Sequence, residues 1–183
     1  MDGICFVYQQ YSYYKNHGEE ENLFTYNIEY QPSYAINQMT TPSKTKEFVN
    51  KIYELSPSVV QRVATKIKRS ISRKQIYNVY DYDEVWKHIL ECEPSTSKAI
   101  PGAFVDFDNS PRRQERCTYF SGMTVEKFAE YIEKQTQNAV SKYNSEYLFL
   151  FAWNEWGESG YLEPDERHKY GLLEAVKNAV NKL

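Results

Sequence analysis

Five short apolar runs punctuate the chain: GICFVY (3–8), LFTYNIEY (23–30), QIYNVYDY (75–82), GAFVDFD (102–108) and YLFLFAW (147–153). Each is rich in β-branched and aromatic residues and lacks a clean polar/apolar alternation. That is the pattern of strands in a parallel sheet covered on both faces. Helical spacing fills the intervals. Phe48, Ile52 and Leu55 lie on one face, and Ser56 and Pro57 supply an N-cap and first turn for a second helix reaching Ile71. DEVWKHIL (83–90) predicts a short helix. Thr124 caps a longer one, with Glu126 in its first turn and Phe128, Ile132, Ala139, Val140 and Tyr143 at its apolar positions. A last helix runs from about His168, with Tyr170, Leu173, Val176, Val180 and Leu183 as its stripe.

Strands alternating with helices predict an α/β fold over a single domain, residues 1–183. Polar groups collect where the strands end. Glu29, Tyr30 and Gln31 follow one; Asp108, Asn109, Ser110, Pro111, Arg112 and Arg113 follow another; Asn154 and Glu155 follow the last. A (β/α)8 barrel carries its chemistry at such strand ends. That barrel needs about 250 residues, and five strands cannot close a barrel of eight. The sheet is therefore expected either to be open or to be the C-terminal part of a TIM-type barrel, about five strands, incomplete in this chain.

Composition narrows the functional classes. The 183 residues carry a net charge of −3, which gives no field for holding nucleic acid non-specifically. The one basic stretch, KIKRSISRK (66–74), reads as a solvated helix face opposite Val60, Val63, Ile67 and Ile71. Cys5, Cys92 and Cys117 are odd in number and widely spaced, which fits reduced thiols and a cytoplasmic setting. His17, His88 and His168 are isolated, so no metal site is expected. No glycine-rich phosphate cradle follows any strand, and no cofactor is expected. No apolar run approaches the roughly 18 residues of a membrane span, and the N-terminus lacks the basic segment of a secretory signal. The 17 tyrosines, 9 phenylalanines and 3 tryptophans suit a strand-rich core, and they also suit a sugar.

The sharpest chemistry lies in LFLFAWNEWGESGYLEPDE (148–166). If the backbone turns helically after the strand, Glu155 and Glu158 share a face, as a carboxylate pair for glycoside chemistry requires. Gly157, Ser159 and Gly160 favour such a turn. Trp153 and Trp156 bracket Asn154 and Glu155 as stacking surfaces, or else pack in the core. Arg112 and Arg113 have the fork that matches a phosphate or carboxylate, although DNSPRR also reads as an exposed turn. Glu163 precedes Pro164 and is expected to be extended; Asp165 and Glu166 suit the start of the last helix.

PGAFVDFDNSPRR (101–113), TYFSGMTVEKFAEYI (118–132) and LFAWNEWGESGYLEPDERHKYGLLEAVKNAV (150–180) together resemble the C-terminal half of the WbsX family. YNIEYQPSYA (26–35) and YNVYDYDEVW (77–86) resemble its middle section. Members belong to bacterial O-antigen and capsule gene clusters, are described as glycosyltransferase-like and are similar to glycoside hydrolase family 99. The resemblance implies a (β/α)8 barrel acting on a glycan or sugar-nucleotide substrate. It further implies that Glu155 acts as a base on a sugar 2-hydroxyl, through a 1,2-anhydro intermediate, and that Glu158 is the acid/base. Substrate contacts are expected from Trp153, Asn154, Trp156, Asp108, Asn109, Arg112, Arg113 and Glu163. The chain departs from the family at Phe107, where Trp is usual, and at Ser159, where Gly is frequent. Three readings stay open: an enzyme, a non-catalytic sugar-binding or pairing module whose partner chain supplies missing strands, and a truncated, inactive product.

Overall fold

Asp81 ends one strand and begins one helix, a junction typical of the layout. The structure, a computed structural model, describes residues 4–11, 24–40 and 77–183, except the side chain of Glu115. The helices expected across 48–71 and the basic stretch 66–74 lie outside the described residues.

The described strands are β1 (Val7–Gln10), β2 (Tyr26–Glu29), β3 (Asn78–Asp81), β4 (Ala99–Ile100), β5 (Gly102–Phe104), β6 (Thr118–Ser121), β7 (Phe149–Phe151), β8 (Asn154–Glu155) and β9 (Gly160–Tyr161). The helices are α1 (Ser33–Met39), α2 (Tyr82–Glu91), α3 (Ser110–Arg113), α4 (Val125–Ser141) and α5 (Gly171–Asn181). The chain is thus mixed α/β with parallel strands. β1 pairs with β2, and β2 with β4, in parallel. β4 and β5 form one extended segment interrupted only by Pro101. Proline has no N–H to donate to a ladder, and the pairing changes there: the first half faces β2 and the second half pairs in parallel with β7. The Pro101 carbonyl accepts from Phe149 N, and Val105 N donates to Phe151 O, so the second pairing runs past both ends of β5. Sheet neighbours therefore follow chain order.

The expected strand at 75–82 departs from this line. It forms β3, which pairs with β6, a strand the hydrophobic pattern did not mark. The β6 segment TYFS is too short and too mixed to separate from a turn by periodicity. β6 is tied in turn to the loop after β5, through Phe120 N to Phe107 O and Asn109 N to Thr118 O.

Local capping fixes the helices that cover the sheet. The Asp81 carboxylate accepts from Glu84 N, and the Thr124 hydroxyl accepts from Lys127 N, each satisfying a first-turn donor. Between α2 and α4 lies the core. Trp86 is fully buried and stacked on both faces, against Phe104 at 5.2 Å and Tyr131 at 5.5 Å. Val85, Ile89, Phe128, Ile132 and Leu172 close around them; a fully buried side chain of this size contributes about 1.5–3 kcal/mol. Two expected stripes are corrected. Val140 is exposed, while Gln135, on the buried face of α4, donates to the Gly102 carbonyl. In α5 the fully buried residues are Leu172, Ala175 and Ala179; of the expected stripe, Leu173 and Val176 pack partly buried against the core, while Tyr170, Val180 and Leu183 face solvent. Small residues won there because α5 lies close along α4: a Cβ on Gly171 would come within 2.9 Å of Val125.

Gly102 has a similar role in the sheet, since a Cβ there would sit 1.9 Å from the Glu29 carbonyl oxygen. Glu29 itself is buried, where its carboxylate accepts from Ser95 N and from the Tyr143 hydroxyl. Burial raises its carboxyl above the usual range, and those two hydrogen bonds oppose the rise. Although it lies at a strand end, it is an internal tie.

Candidate functional site

The path from β7 to β9 builds the site. Beyond Phe151 the chain enters a short antiparallel hairpin in which Asn154 pairs with Tyr161 and Glu155 with Gly160. Its turn is a single 3-10 turn, Trp156–Glu158. In that geometry side chains three apart eclipse, so Glu155, which precedes the turn, and Glu158, which ends it, lie on one side. Gly160 has to be glycine, because a Cβ there would fall 2.2 Å from the Phe151 ring. Asp108 N donates to the Glu158 carbonyl at 2.8 Å, which ties the turn to the loop after β5.

That loop also delivers the cation. α3 begins at Ser110–Pro111, and Arg112 reaches from it across the turn. Its Nη1 lies 2.9 Å from Glu158 Oε1 and 3.8 Å from Glu155 Oε1. The two carboxylates thus converge on one guanidinium nitrogen. Arg112 is 59% exposed, Glu155 41% and Glu158 20%, so the cluster opens to solvent from the Arg112 side. Gly157 leaves the space: a Cβ there would be 3.2 Å from Glu155 Oε1 and 3.5 Å from Arg112 Cδ.

Aromatic rings flank the acids. Tyr30, just past β2, packs edge-on against Phe151 at 5.9 Å and at a tilt against Tyr11 at 4.8 Å. Burial raises the Tyr30 phenol above its ordinary range, and the charges of Tyr11, Glu158 and Glu155 add to the rise, so its ring stands in the field of the pair. Trp156 stacks on Tyr161 with centroids 3.9 Å apart, and its indole N–H donates to Glu163 at 2.6 Å. One face of Trp156 is covered and about half of the residue is exposed. Trp153 is also about half exposed, while its carbonyl accepts from Leu162 N and Glu163 N.

Behind the hairpin lies a second acidic layer. The Tyr161 hydroxyl donates to Asp165 Oδ2 at 2.5 Å, and His168 N donates to Asp165 Oδ1. Burial would raise the Asp165 carboxyl; the bonds from Tyr161 and His168 N, and the His168 charge, bring it below the ordinary range instead. Burial pushes Tyr161 up to about 12, helped by the Asp165 carboxylate. Asp106, half-buried on the strand exit, is raised to about 6 by burial, with the Asp108 charge adding and the Phe107 N–H and Arg167 opposing.

The expected contact residues therefore divide. Glu155, Glu158 and Arg112 come together, with Trp156 and Trp153 presenting open indole surface. Glu163 touches Trp156 and serves to orient it. Asp108 accepts from Ser110 N and Asn109 from Thr118 N, so both carboxyl and amide hold the loop. Arg113 and Asn154 are exposed at the rim. Pattern reading placed Tyr30 at a strand end without giving it a role, and missed Asp106, Tyr161 and His168. Nothing in their spacing marks them: Tyr30 reaches the acids through pairing between segments far apart in the chain, whereas Tyr161 and His168 are set locally by the β8–β9 hairpin and the turn at Asp165. Among the described residues no cluster of three His, Cys, Asp or Glu side chains is arranged to hold a metal, and no helix is long and apolar enough to cross a membrane.

No solved structure matches the chain. Two proteins bearing the name WxcX, from two strains of Xanthomonas campestris pv. campestris, are 26% and 30% identical to it over 107 residues. The match covers 57% of this chain and 15% of each relative, so the chain spans only a small part of their length. A family model described as glycosyltransferase WbsX matches residues 1–176. With nearly its whole length matched, the chain belongs to the WbsX glycosyltransferase family.

Proposed function

We propose that this chain carries the acid pair of a carbohydrate-processing enzyme in bacterial surface polysaccharide assembly, O-antigen or capsule. The observation that carries the reading is the convergence of Glu155 and Glu158 on Arg112 at the mouth of β7, beside Tyr30 and Trp156. Glu155 takes the proton of a sugar 2-hydroxyl as that oxygen closes on the anomeric carbon, giving a 1,2-anhydro sugar. Glu158 gives its proton to the departing oxygen. In the second half Glu158 takes a proton from the incoming hydroxyl or water, the three-membered ring opens at the anomeric carbon, and Glu155 returns its proton to the 2-oxygen. A carboxyl that donates a proton cannot keep an ion pair, so Arg112 leaves Glu158 when substrate arrives. Its exposure gives it room, and its fork suits a phosphate or other anion on the sugar donor.

Parallel pairing in chain order supports continuing this sheet into a (β/α)8 barrel, with further strands from a longer polypeptide or a partner chain. Ile4, Phe6 and Val7 at the β1 edge and Phe149 on β7 are exposed apolar side chains that such strands would cover.

The test uses the complete enzyme. Glu155→Gln and Glu158→Gln preserve shape and remove the titrating oxygen. Each is expected to lower turnover by about 10²–10⁴-fold, and to abolish surface-polysaccharide synthesis when restored to a strain lacking the gene, with the melting temperature unchanged. Full turnover in both variants ends the assignment.

A further inference from the structure

The opposite end of the strands carries a cavity that the acid pair does not use. It has a volume of about 330 Å3, at the small end of the roughly 300–1,000 Å3 range of ligand pockets. Tyr26 opens β2, Ala99 opens β4, and Tyr147 stands two residues before β7, so three neighbouring parallel strands begin at its wall. Glu155 and Glu158 lie beyond the other end of β7, and the two places are separated by the length of the sheet.

The wall is built to stay put. After α4 the chain turns through Asn144 in the left-handed region, φ 48°, where asparagine is tolerated. Ser145 N donates back to Ala139 O, and the Ser145 hydroxyl bonds both the carbonyl and the N–H of Tyr147. This turn aims the Tyr147 ring outward, 55% exposed, with its edge toward Tyr26 at 6.3 Å. Around the two rings stand the exposed side chains of Ser97, Lys98, Asn144 and Glu146.

We propose that this cavity is a second binding site and that its ligand is a neutral saccharide of one or two rings. Two angled phenol rings offer flat apolar faces to the C–H side of a sugar. The amide, hydroxyl, ammonium and carboxylate around them supply both donors and acceptors, as a ring of hydroxyls requires. The single lysine is opposed by Glu146, so the site has no excess positive charge with which to prefer an anion, unlike the Arg112 cluster. The cavity's own chemistry points to this ligand whether or not Glu155 and Glu158 are the acid pair.

The test is a chemical-shift titration of the full chain with maltose, cellobiose and mannobiose, and separately with sodium phosphate. At least one disaccharide is expected to shift the Asn144 and Ser97 amides saturably, with a dissociation constant of roughly millimolar. Tyr147→Ala is expected to weaken that binding about tenfold or more, equivalent to about 1.4 kcal/mol, while Tyr147→Phe, which keeps the ring, retains it. Glu155→Gln leaves the binding unchanged, so a failed acid assignment and a failed second site give different results. Shifts at these amides with phosphate but none of the sugars would overturn the proposal, and so would sugar binding indifferent to Tyr147→Ala in a chain that still melts cooperatively.

Discussion

Two tryptophans show how the same ring serves two purposes in this fold. Trp86 is fully buried and sandwiched, with Phe104 on one face and Tyr131 on the other at interplanar angles of 11° and 13°. Trp156 has one partner, Tyr161, at 14°, and remains about half exposed. The first is held by closure from both sides and the second by one stack and one hydrogen bond to Glu163. A ring closed on both faces contributes to stability and is inaccessible to anything else. A ring closed on one face has lost some packing and kept a surface. Function is to be sought at an aromatic side chain that is oriented by its neighbours and left uncovered.

The comparison breaks most clearly under truncation. Trp86→Ala opens a cavity between α2, α4 and β5 and is expected to cost about 3–5 kcal/mol, read as a lower urea midpoint. Trp156→Ala is expected to cost about 1–2 kcal/mol, because only about half of its area is removed from water, and to impair substrate binding in the complete enzyme. Equal losses of stability from the two would show that Trp156 is a core residue after all.

A smaller effect sharpens the same contrast through charge. Asp106 sits at the border between core and site, with Asp108, Arg167 and Tyr161 as its charged or titratable neighbours. Its carboxyl is raised from 3.8 to about 6. The folded state therefore binds its proton more tightly than the unfolded chain does. The stability this contributes is present below about pH 4 and is lost as pH rises through about 6. Asp106→Asn keeps an acceptor for Phe107 N and has no charge to bury. It is expected to be more stable than the parent by roughly 1–3 kcal/mol at pH 8, with the difference vanishing near pH 4. Urea midpoints measured across that range check it; a constant difference at all pH values would exclude burial of the charge as its cause. Glu29 is raised by burial too, but the comparison of parent and variant isolates Asp106.

What the hydrophobic pattern revealed follows from what pattern encodes. Runs such as YLFLFAW located β7 because a strand covered on both faces needs apolar residues whichever way each side chain points. Thr124 located a helix start because a cap is a local hydrogen bond. The buried face of α5 was legible only in part: Leu173 and Val176 pack against the core, but Ala175 and Ala179 are the more deeply buried, and their fit depends on how closely α4 approaches, a property of two helices together. Glu155 and Glu158 were legible as a pair from spacing within one turn. Arg112 was legible only as a candidate, since its meeting with them depends on Asp108 N holding the loop to the Glu158 carbonyl. Tyr30 was legible only as a group at a strand end, because it comes to the acids from more than a hundred residues away through strand pairing.

The turn that carries the acids also holds the smallest test. Ser159 adopts φ 58° directly after Glu158, a left-handed conformation that costs a side-chain-bearing residue about 1–2 kcal/mol and costs glycine nothing. Glycine, which the sequence resemblance leads one to expect at this place, adopts that φ without strain. Ser159→Gly relieves the strain in the folded state, while the added freedom of glycine in the unfolded chain offsets part of the gain. A net stabilisation of about 0.5–1 kcal/mol is expected, read as a higher urea midpoint with the slope unchanged. The core offers no equivalent, because the residues around Trp86 lie in regular strand and helix with nothing to relieve. If Ser159→Gly instead destabilises the fold, the serine side chain is making a contact that outweighs its backbone strain. If the gain appears but turnover falls, the hairpin needs its stiffness to keep Glu155 and Glu158 facing one another.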